Sequence, residues 1–127
     1  MPIERLDPES LVKFKGLHQT VKIGTTIYIA GQVAVDEKGN FHGQGNAEEQ
    51  LVQIYKNLEN ACKAHGGTLT NIVKTTTYIT DRAHFSAVSQ IRQKRYGANA
   101  PANTTVIVAG LARPEWWIEI EGVASIE

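Results

Sequence analysis

Apolar and polar positions along the chain fall into runs with two different periods. Val21 and Ile23 alternate with polar neighbours, the two-residue period of a strand. Gly24 interrupts them. The run Thr25-Thr26-Ile27-Tyr28-Ile29-Ala30-Gly31-Gln32-Val33 then reads as a second, more buried strand. Asp36-Glu37-Lys38-Gly39-Asn40 is a turn cluster, and Gly43 and Gly45 extend the loop. Asn46 is suited to cap a helix, with Glu48 and Glu49 in its first turn, where the helix dipole favours acids. From there Leu51, Ile54, Tyr55, Leu58, Ala61, Cys62 and His65 recur at three- and four-residue spacing, one apolar stripe on an amphipathic helix. Gly66-Gly67 ends it. Ile72 to Thr80 is strand-like by β-branching. Asp81 is placed to cap a second helix to about Tyr96, with Phe85, Val88 and Ile91 inward. Gly97 to Pro101 breaks that helix, and Thr104 to Ala109 reads as a strand. In the last segment Ile118, Ile120 and Gly122 alternate with Trp117, Glu119, Glu121 and Val123, a strand with two distinct faces.

The order is two strands, helix, strand, helix, two strands. Two helices against one sheet predict an α+β two-layer sandwich, a single domain over residues 1–127. One face of such a sheet is covered by helices. The other would expose Tyr28, Trp117 and several β-branched residues, which predicts a homo-oligomer that covers it.

Charge narrows the range of partners. Thirteen basic residues balance thirteen acidic ones, without the basic excess expected of a protein bound to nucleic acid or an anionic membrane. Arg92, Lys94 and Arg95 form a local basic cluster, read here as a solvated helix face. Cys62 is the single cysteine, so no intrachain disulfide forms. Residues 1–5 carry no apolar run of a signal peptide, and no stretch reaches the roughly 20 apolar residues of a membrane span, so the cytoplasm is the default expectation. His18, His42, His65 and His84 lack ligand spacing, and the glycines lack the lysine of a phosphate loop, so neither metal nor cofactor is expected. Cys62 and His65 lie on the first helix's stripe, where core and capping roles are expected.

Three stretches carry a family resemblance. Val21-Lys22-Ile23-Gly24-Thr25-Thr26-Ile27-Tyr28-Ile29-Ala30-Gly31-Gln32 resembles the pattern V-x-V-G-x-T-x-Y-x-S-G-Q of the Rid (reactive intermediate deaminase, or YjgF) family. Asn71 to Asp81 is close to that family's V-V-K-T-T-V-F-L-T-D strand. Ala100-Pro101-Ala102-Asn103-Thr104-Thr105-Val106, followed by Ile118-Glu119-Ile120-Glu121-Gly122-Val123-Ala124, resembles its ending P-A-R-S-x-V … I-E-I-E-A-I-A. The resemblance implies a chorismate-mutase-like fold with a mixed sheet, and a homotrimer with clefts between subunits. It also implies hydrolysis of enamine or imine acids to keto acids and ammonia, without a cofactor.

Departures from that pattern gather in one place. The arginine of P-A-R, which grips a substrate carboxylate with two parallel hydrogen bonds, aligns with Asn103. A family tyrosine aligns with Leu17, the serine of S-G-Q with Ala30, and an asparagine with Ser89. Gly31, Thr105 and Glu119 survive. The cleft is therefore expected to persist without its carboxylate clamp.

Glu119 is the strongest catalytic candidate. It shares a strand face with Glu121, and two carboxylates so close make ionising both costlier. The resemblance assigns Glu119 the water-activating role, whereas Glu121 reads as an exposed charge. Asn103 can bind a carbonyl, amide or hydroxyl, or simply finish a loop. Arg113 lies several extended residues along the chain from Asn103, too far to replace the missing arginine within one subunit without a folded-back loop. Trp116 and Trp117 are bulk beside Glu119, either pocket wall or interface packing. His18 neighbours the lost tyrosine's position.

The leading expectation is a deaminase or hydrolase acting on a small reactive enamine or imine. Glu119 would activate water, backbone near Gly31 would hold the polar end, and Asn103 and Thr105 would orient the substrate. The alternative is a trimer that binds a metabolite or protein without turning it over. A nuclease role, among the labels given to the family, sits poorly with zero net charge.

Overall fold

A computed structural model describes residues 1–127. Six strands, β1 (Ile3–Leu6), β2 (Thr20–Ile23), β3 (Thr26–Gln32), β4 (Ile72–Ile79), β5 (Ala102–Ile107) and β6 (Ile118–Ser125), form one sheet in the order β1-β2-β3-β6-β4-β5. Only β4 and β5 pair in parallel; every other pair is antiparallel. Helices α1 (Ala47–Lys63) and α2 (Phe85–Tyr96) cover one face. The last strand in sequence thus lies in the middle of the sheet, between β3 and β4.

The core lies between the helices and that face. Ile27 and Ile29, and Ile118 and Ile120, point into it at two-residue spacing; Ile79 and Ile72 of β4 join them, the latter beyond a register shift, and all meet Leu51, Ile54, Leu58, Ala61 and Cys62 of α1. Burial in this apolar layer pushes the Cys62 thiol up to about 11. Asn46 caps α1 as expected, its Oδ1 accepting from Glu49 N at 3.0 Å. Beyond α1, Gly66 takes φ 83°, a left-handed conformation that suits glycine, and Gly67 N donates to Cys62 O at 2.9 Å.

Three buried polar residues also sit on α1. Asn57 Nδ2 donates to the carbonyls of Val33 and Val35, both at 3.0 Å, and accepts at Oδ1 from Gln53 Nε2 at 2.7 Å. Gln50 Nε2 donates to Gly43 O at 3.0 Å, while its Oε1 accepts from Trp117 N at 3.0 Å. These amides tie the loop after β3, and the segment entering β6, to the helix.

Several expectations are corrected. β1 reads as no element in the sequence, because all four of its residues are exposed and carry no buried alternation. Asp81 caps a single 3-10 turn, Arg82–His84, through Ala83 N at 2.8 Å, and α2 begins after it. Phe85 is half exposed instead of inward, and Ile91 only borders the core, while Val88 and Tyr96 are buried. The strand expected over Thr104–Ala109 runs from Ala102 to Ile107. His65 does anchor the helix end: its Nε2 lies 2.9 Å from Thr20 Oγ1.

Leu58 is wholly buried, so Leu58→Ala is expected to cost about 2–5 kcal/mol in urea unfolding. Asn57→Ala, which leaves two buried carbonyls without a donor, should cost about 1–3 kcal/mol in the same measurement. The half-exposed Phe85 should lose less than either when cut to alanine.

Candidate functional site

On the face away from the helices, a pocket of about 370 Å³ opens beside the junction of β3 and β6. Phe14, Leu17, Ala30, Val33, Ala112 and Trp116 make its apolar wall, and Gln19, Gly31 and Glu119 complete it. No lysine or arginine lines it.

Local backbone geometry builds the polar end. The register of β3 on β6 passes from Ile29↔Gly122 to Gln32↔Ile120, so β3 carries one extra residue. This bulge falls at Ala30-Gly31. Gln32 Nε2 fastens it by donating to Ala30 O at 3.0 Å and to Gln19 Oε1 at 2.7 Å. Gln19 in turn donates from Nε2 to Val12 O at 2.8 Å, tethering the loop that carries Phe14 and Leu17. Glu119 lies directly over Gly31; a Cβ built on Gly31 would overlap the Glu119 carboxylate. Glycine is needed here for close approach, not for an unusual φ.

Partial burial holds the Glu119 carboxyl above the ordinary carboxylate range, and the nearby charge of Glu121 adds to the shift. Glu121 itself is exposed and accepts from Tyr78 OH at 2.6 Å, which raises the Tyr78 phenol. The two glutamates therefore share a face, as the alternation predicts, and differ in surroundings.

Ser89, Asn103 and Thr105 lie elsewhere. The odd positions of β5 face the helix layer, so Asn103 and Thr105 are on the opposite side of the sheet from Glu119. In the amide orientation that satisfies both ends, Asn103 Nδ2 donates to Thr75 Oγ1 at 2.9 Å and Thr77 Oγ1 at 3.0 Å. Its Oδ1 then accepts from Thr105 Oγ1 at 2.8 Å and Arg92 Nη2 at 3.1 Å. Ser89 is one turn before Arg92 on α2, and its Oγ accepts from Gln93 Nε2 at 3.1 Å. Leu17, Ala30, Gly31 and Glu119 thus form one cluster, Asn103 and Thr105 belong to another, and Ser89 bonds within α2.

The remaining candidates divide. Trp116 walls the pocket, whereas Trp117 borders the core and stacks on His84 with ring centroids 4.6 Å apart. Arg113 lies over the Trp116 ring at 6.0 Å and lines no part of the pocket. His18 Nδ1 pairs with Asp7 Oδ2 at 2.8 Å, also outside it. The basic trio is not one solvated face: Arg95 pairs with Glu59 at 3.1 Å, Lys94 is exposed, and Arg92 turns inward. Phe14, Gln19, Val33 and Ala112 carried no chemical signal in the sequence, because walls made by loops have no period to read.

Residues 8–126 match the model of the family described as endoribonuclease L-PSP. The chain belongs to this family, which is the YjgF/Rid family. It is 37% identical over 106 residues to the human 2-iminobutanoate/2-iminopropanoate deaminase, covering 84% of this chain and 77% of that protein. A RutC family protein of Saccharolobus solfataricus is 33% identical, over 84% of this chain and 83% of its own. Among solved structures, the E. coli YjgF gene product superposes with TM-score 0.86 at 29% identity, covering 96% of this chain and 98% of that one. The RidA protein of an Antarctic Psychrobacter gives TM-score 0.85 at 28% identity, covering 97% and 99%. The Rid-type mixed sheet with two helices is thereby established for this chain. Of the positions where the resemblance marks departures, Leu17 and Ala30 line the Glu119 pocket, Asn103 lies in the second cluster, and Ser89 lies on α2.

The raised Glu119 carboxyl has a consequence for stability. As pH rises through the ordinary carboxylate range, the unfolded chain loses this proton first, so the group's contribution to folding falls until the folded carboxyl has also ionised. Glu119→Gln removes that loss. Its melting temperature should exceed the wild type's near pH 7, and the gap should close below the ordinary carboxylate range. Gly31→Ala should instead lower the melting temperature at either pH, because the Glu119 side chain must swing away.

Proposed function

We propose that this chain is an imine or enamine deaminase whose water-activating group is Glu119, working in a cleft between subunits of a homotrimer. The observation that carries the reading is a partly buried carboxyl set directly over Gly31 in a mostly apolar pocket, where burial holds it above the ordinary carboxylate range. The name of the human relative agrees with it. The two clusters lie on opposite faces of one sheet, so a cleft containing both needs a second copy of the chain. Exposed Tyr28 and Val106 on the open face give that copy an apolar surface to cover.

The chemistry asks little beyond positioning. Water adds its oxygen to the imine carbon, and Glu119 takes the proton that water sheds. The same carboxyl, now protonated, delivers a proton to nitrogen. That gives a carbinolamine; Glu119 then takes its hydroxyl proton and passes it to the amine nitrogen as the C–N bond breaks, so ammonia leaves and a carbonyl remains. A carboxyl whose pKa is raised toward neutrality serves both steps better than an ordinary one. The apolar wall favours a substrate with a hydrocarbon substituent and keeps competing water out. Leu17 and Ala30, which offer no hydrogen bonds, also suit a second reading, a trimer that holds such a molecule without turnover.

The test is deamination of imines generated in place by an amino acid oxidase, followed as ammonia release. Wild type should accelerate hydrolysis, and Glu119→Gln should lose about 10²–10⁴-fold while remaining folded. Equal turnover by the variant would end the catalytic assignment, and no turnover by either protein would favour the binding reading. Sedimentation equilibrium should give three times the 13.9 kDa chain mass; a monomer at micromolar concentration would remove the cleft.

A further inference from the structure

The walls of the Glu119 pocket are held in place by the chain itself. One is Trp116, whose flanking backbone is fixed to α1: Gln50 Nε2 donates to Glu115 O at 3.2 Å, and Gln50 Oε1 accepts from Trp117 N at 3.0 Å. Trp116 N also donates to Arg113 O at 3.1 Å. Phe14 and Leu17 make another wall, on the loop that Gln19 ties down through Val12 O and Asp7 Oδ1. Phe14 is 40% exposed and Leu17 47%, so large apolar groups are left in water at a pocket, the mark of a place for an apolar ligand. Polar chemistry inside is confined to one side chain. Gln19 spends Nε2 on Val12 and Oε1 on Gln32, which leaves Glu119 as the one polar side chain of the lining without a partner in the chain. The volume, about 370 Å³, is more than twice the roughly 150 Å³ that holds a benzene ring in an apolar cavity. A methyl or ethyl substituent would leave most of this space to water.

We propose that this pocket takes an aromatic ring, so that the substrates are imines or enamines bearing an uncharged aryl substituent, with Trp116 and Phe14 as the residues that determine this specificity. The inference rests on the reading of Glu119 as the water-activating group. The reacting carbon sits at the carboxyl, and the ring extends along Trp116 and Phe14. A ring can meet an indole or a phenyl group edge-to-face or offset-stacked, contacts that a saturated chain does not make. Charged substituents are turned away. A second carboxylate would meet Glu119 with no basic residue in the lining to offset it, and a cation would tie up the carboxyl that the reaction needs free. Because Gln50 and Gln19 hold the walls before any ligand arrives, little ordering remains to oppose binding.

The experiment measures binding of carbonyl products, so that it does not depend on turnover. Phenylacetone and acetone, and phenylpyruvate and pyruvate, are titrated by calorimetry into wild type, Glu119→Gln, Trp116→Ala, Trp116→Phe and Phe14→Ala. Within each pair the head group is constant, so the ratio of affinities reads the ring alone. In wild type and Glu119→Gln the phenyl compound should bind on the order of 10- to 100-fold more tightly. Trp116→Ala and Phe14→Ala should each cut that ratio roughly three- to tenfold, and Trp116→Phe should keep most of it. In nitrogen-labelled wild type, the indole N–H signal that is missing from Trp116→Phe should move on adding phenylacetone, and that of Trp117 should not. A ratio near one in wild type, no phenylacetone binding at millimolar concentration, or an unmoved Trp116 signal would each overturn the proposal. A ratio unchanged in both alanine variants would also overturn it, since the ring would then bind elsewhere, as on the open face beside Tyr28. Should Trp116→Ala fail to fold, Phe14→Ala and the indole signals decide. Aryl preference with no ammonia release in the turnover test overturns the deaminase reading and supports this site. Ammonia release with no aryl preference overturns this site alone.

Discussion

The two-residue alternation of β6, held between β3 and β4, is the constraint on which the rest depends. Ile118 and Ile120 must enter the core beneath α1, so Glu119 and Glu121 must emerge on the opposite face. A slip of one residue in either neighbour's register would bury two carboxylates and expose two isoleucines. The core thus fixes where the acids go. The bulge in β3 then decides how they differ, because it brings Gly31 beneath Glu119 and leaves Glu121 in solvent.

Polar side chains within the core carry this precision outward to the loops. Gln50 and Asn57 lie on the buried stripe of α1, yet each spends its amide on backbone of an adjoining segment. Gln19 and Gln32 do the same around the bulge. Pocket walls on irregular chain are thereby referenced to a rigid helix and a rigid sheet. Each of these amides would be costly to bury without its partner, so a different loop arrangement would meet a matching penalty.

Much of the fold was legible because burial imposes a period. The α1 stripe, its Asn46 cap and the alternation of β6 could be read directly, and Glu119 with Gly31 followed from motif and spacing. β1 could not be read, since an edge strand with four exposed residues carries no alternation. Leu17, Ala30 and Gly31 joined Glu119 as expected. Asn103 and Thr105 fell on the far side, because strand parity separates them from Glu119, and Ser89 lies in the helix layer on α2; residue order alone says nothing about which copy meets which face. Arg92 was misjudged for a related reason: within Arg92, Lys94 and Arg95 the composition suggests a solvated face, but the helical turn sends only Arg92 toward Thr105.

Cys62 has a bearing on how the molecule can be watched. Its sulfur sits wholly inside the layer between α1 and the sheet, with its thiol pushed up to about 11, so almost none is thiolate at neutral pH and none meets solvent. A maleimide or disulfide reagent can reach it only when α1 lifts from the sheet. As the sole cysteine, it makes the unaltered chain its own opening gauge: the labelling rate reads the equilibrium for exposing the centre of the core, without an introduced probe.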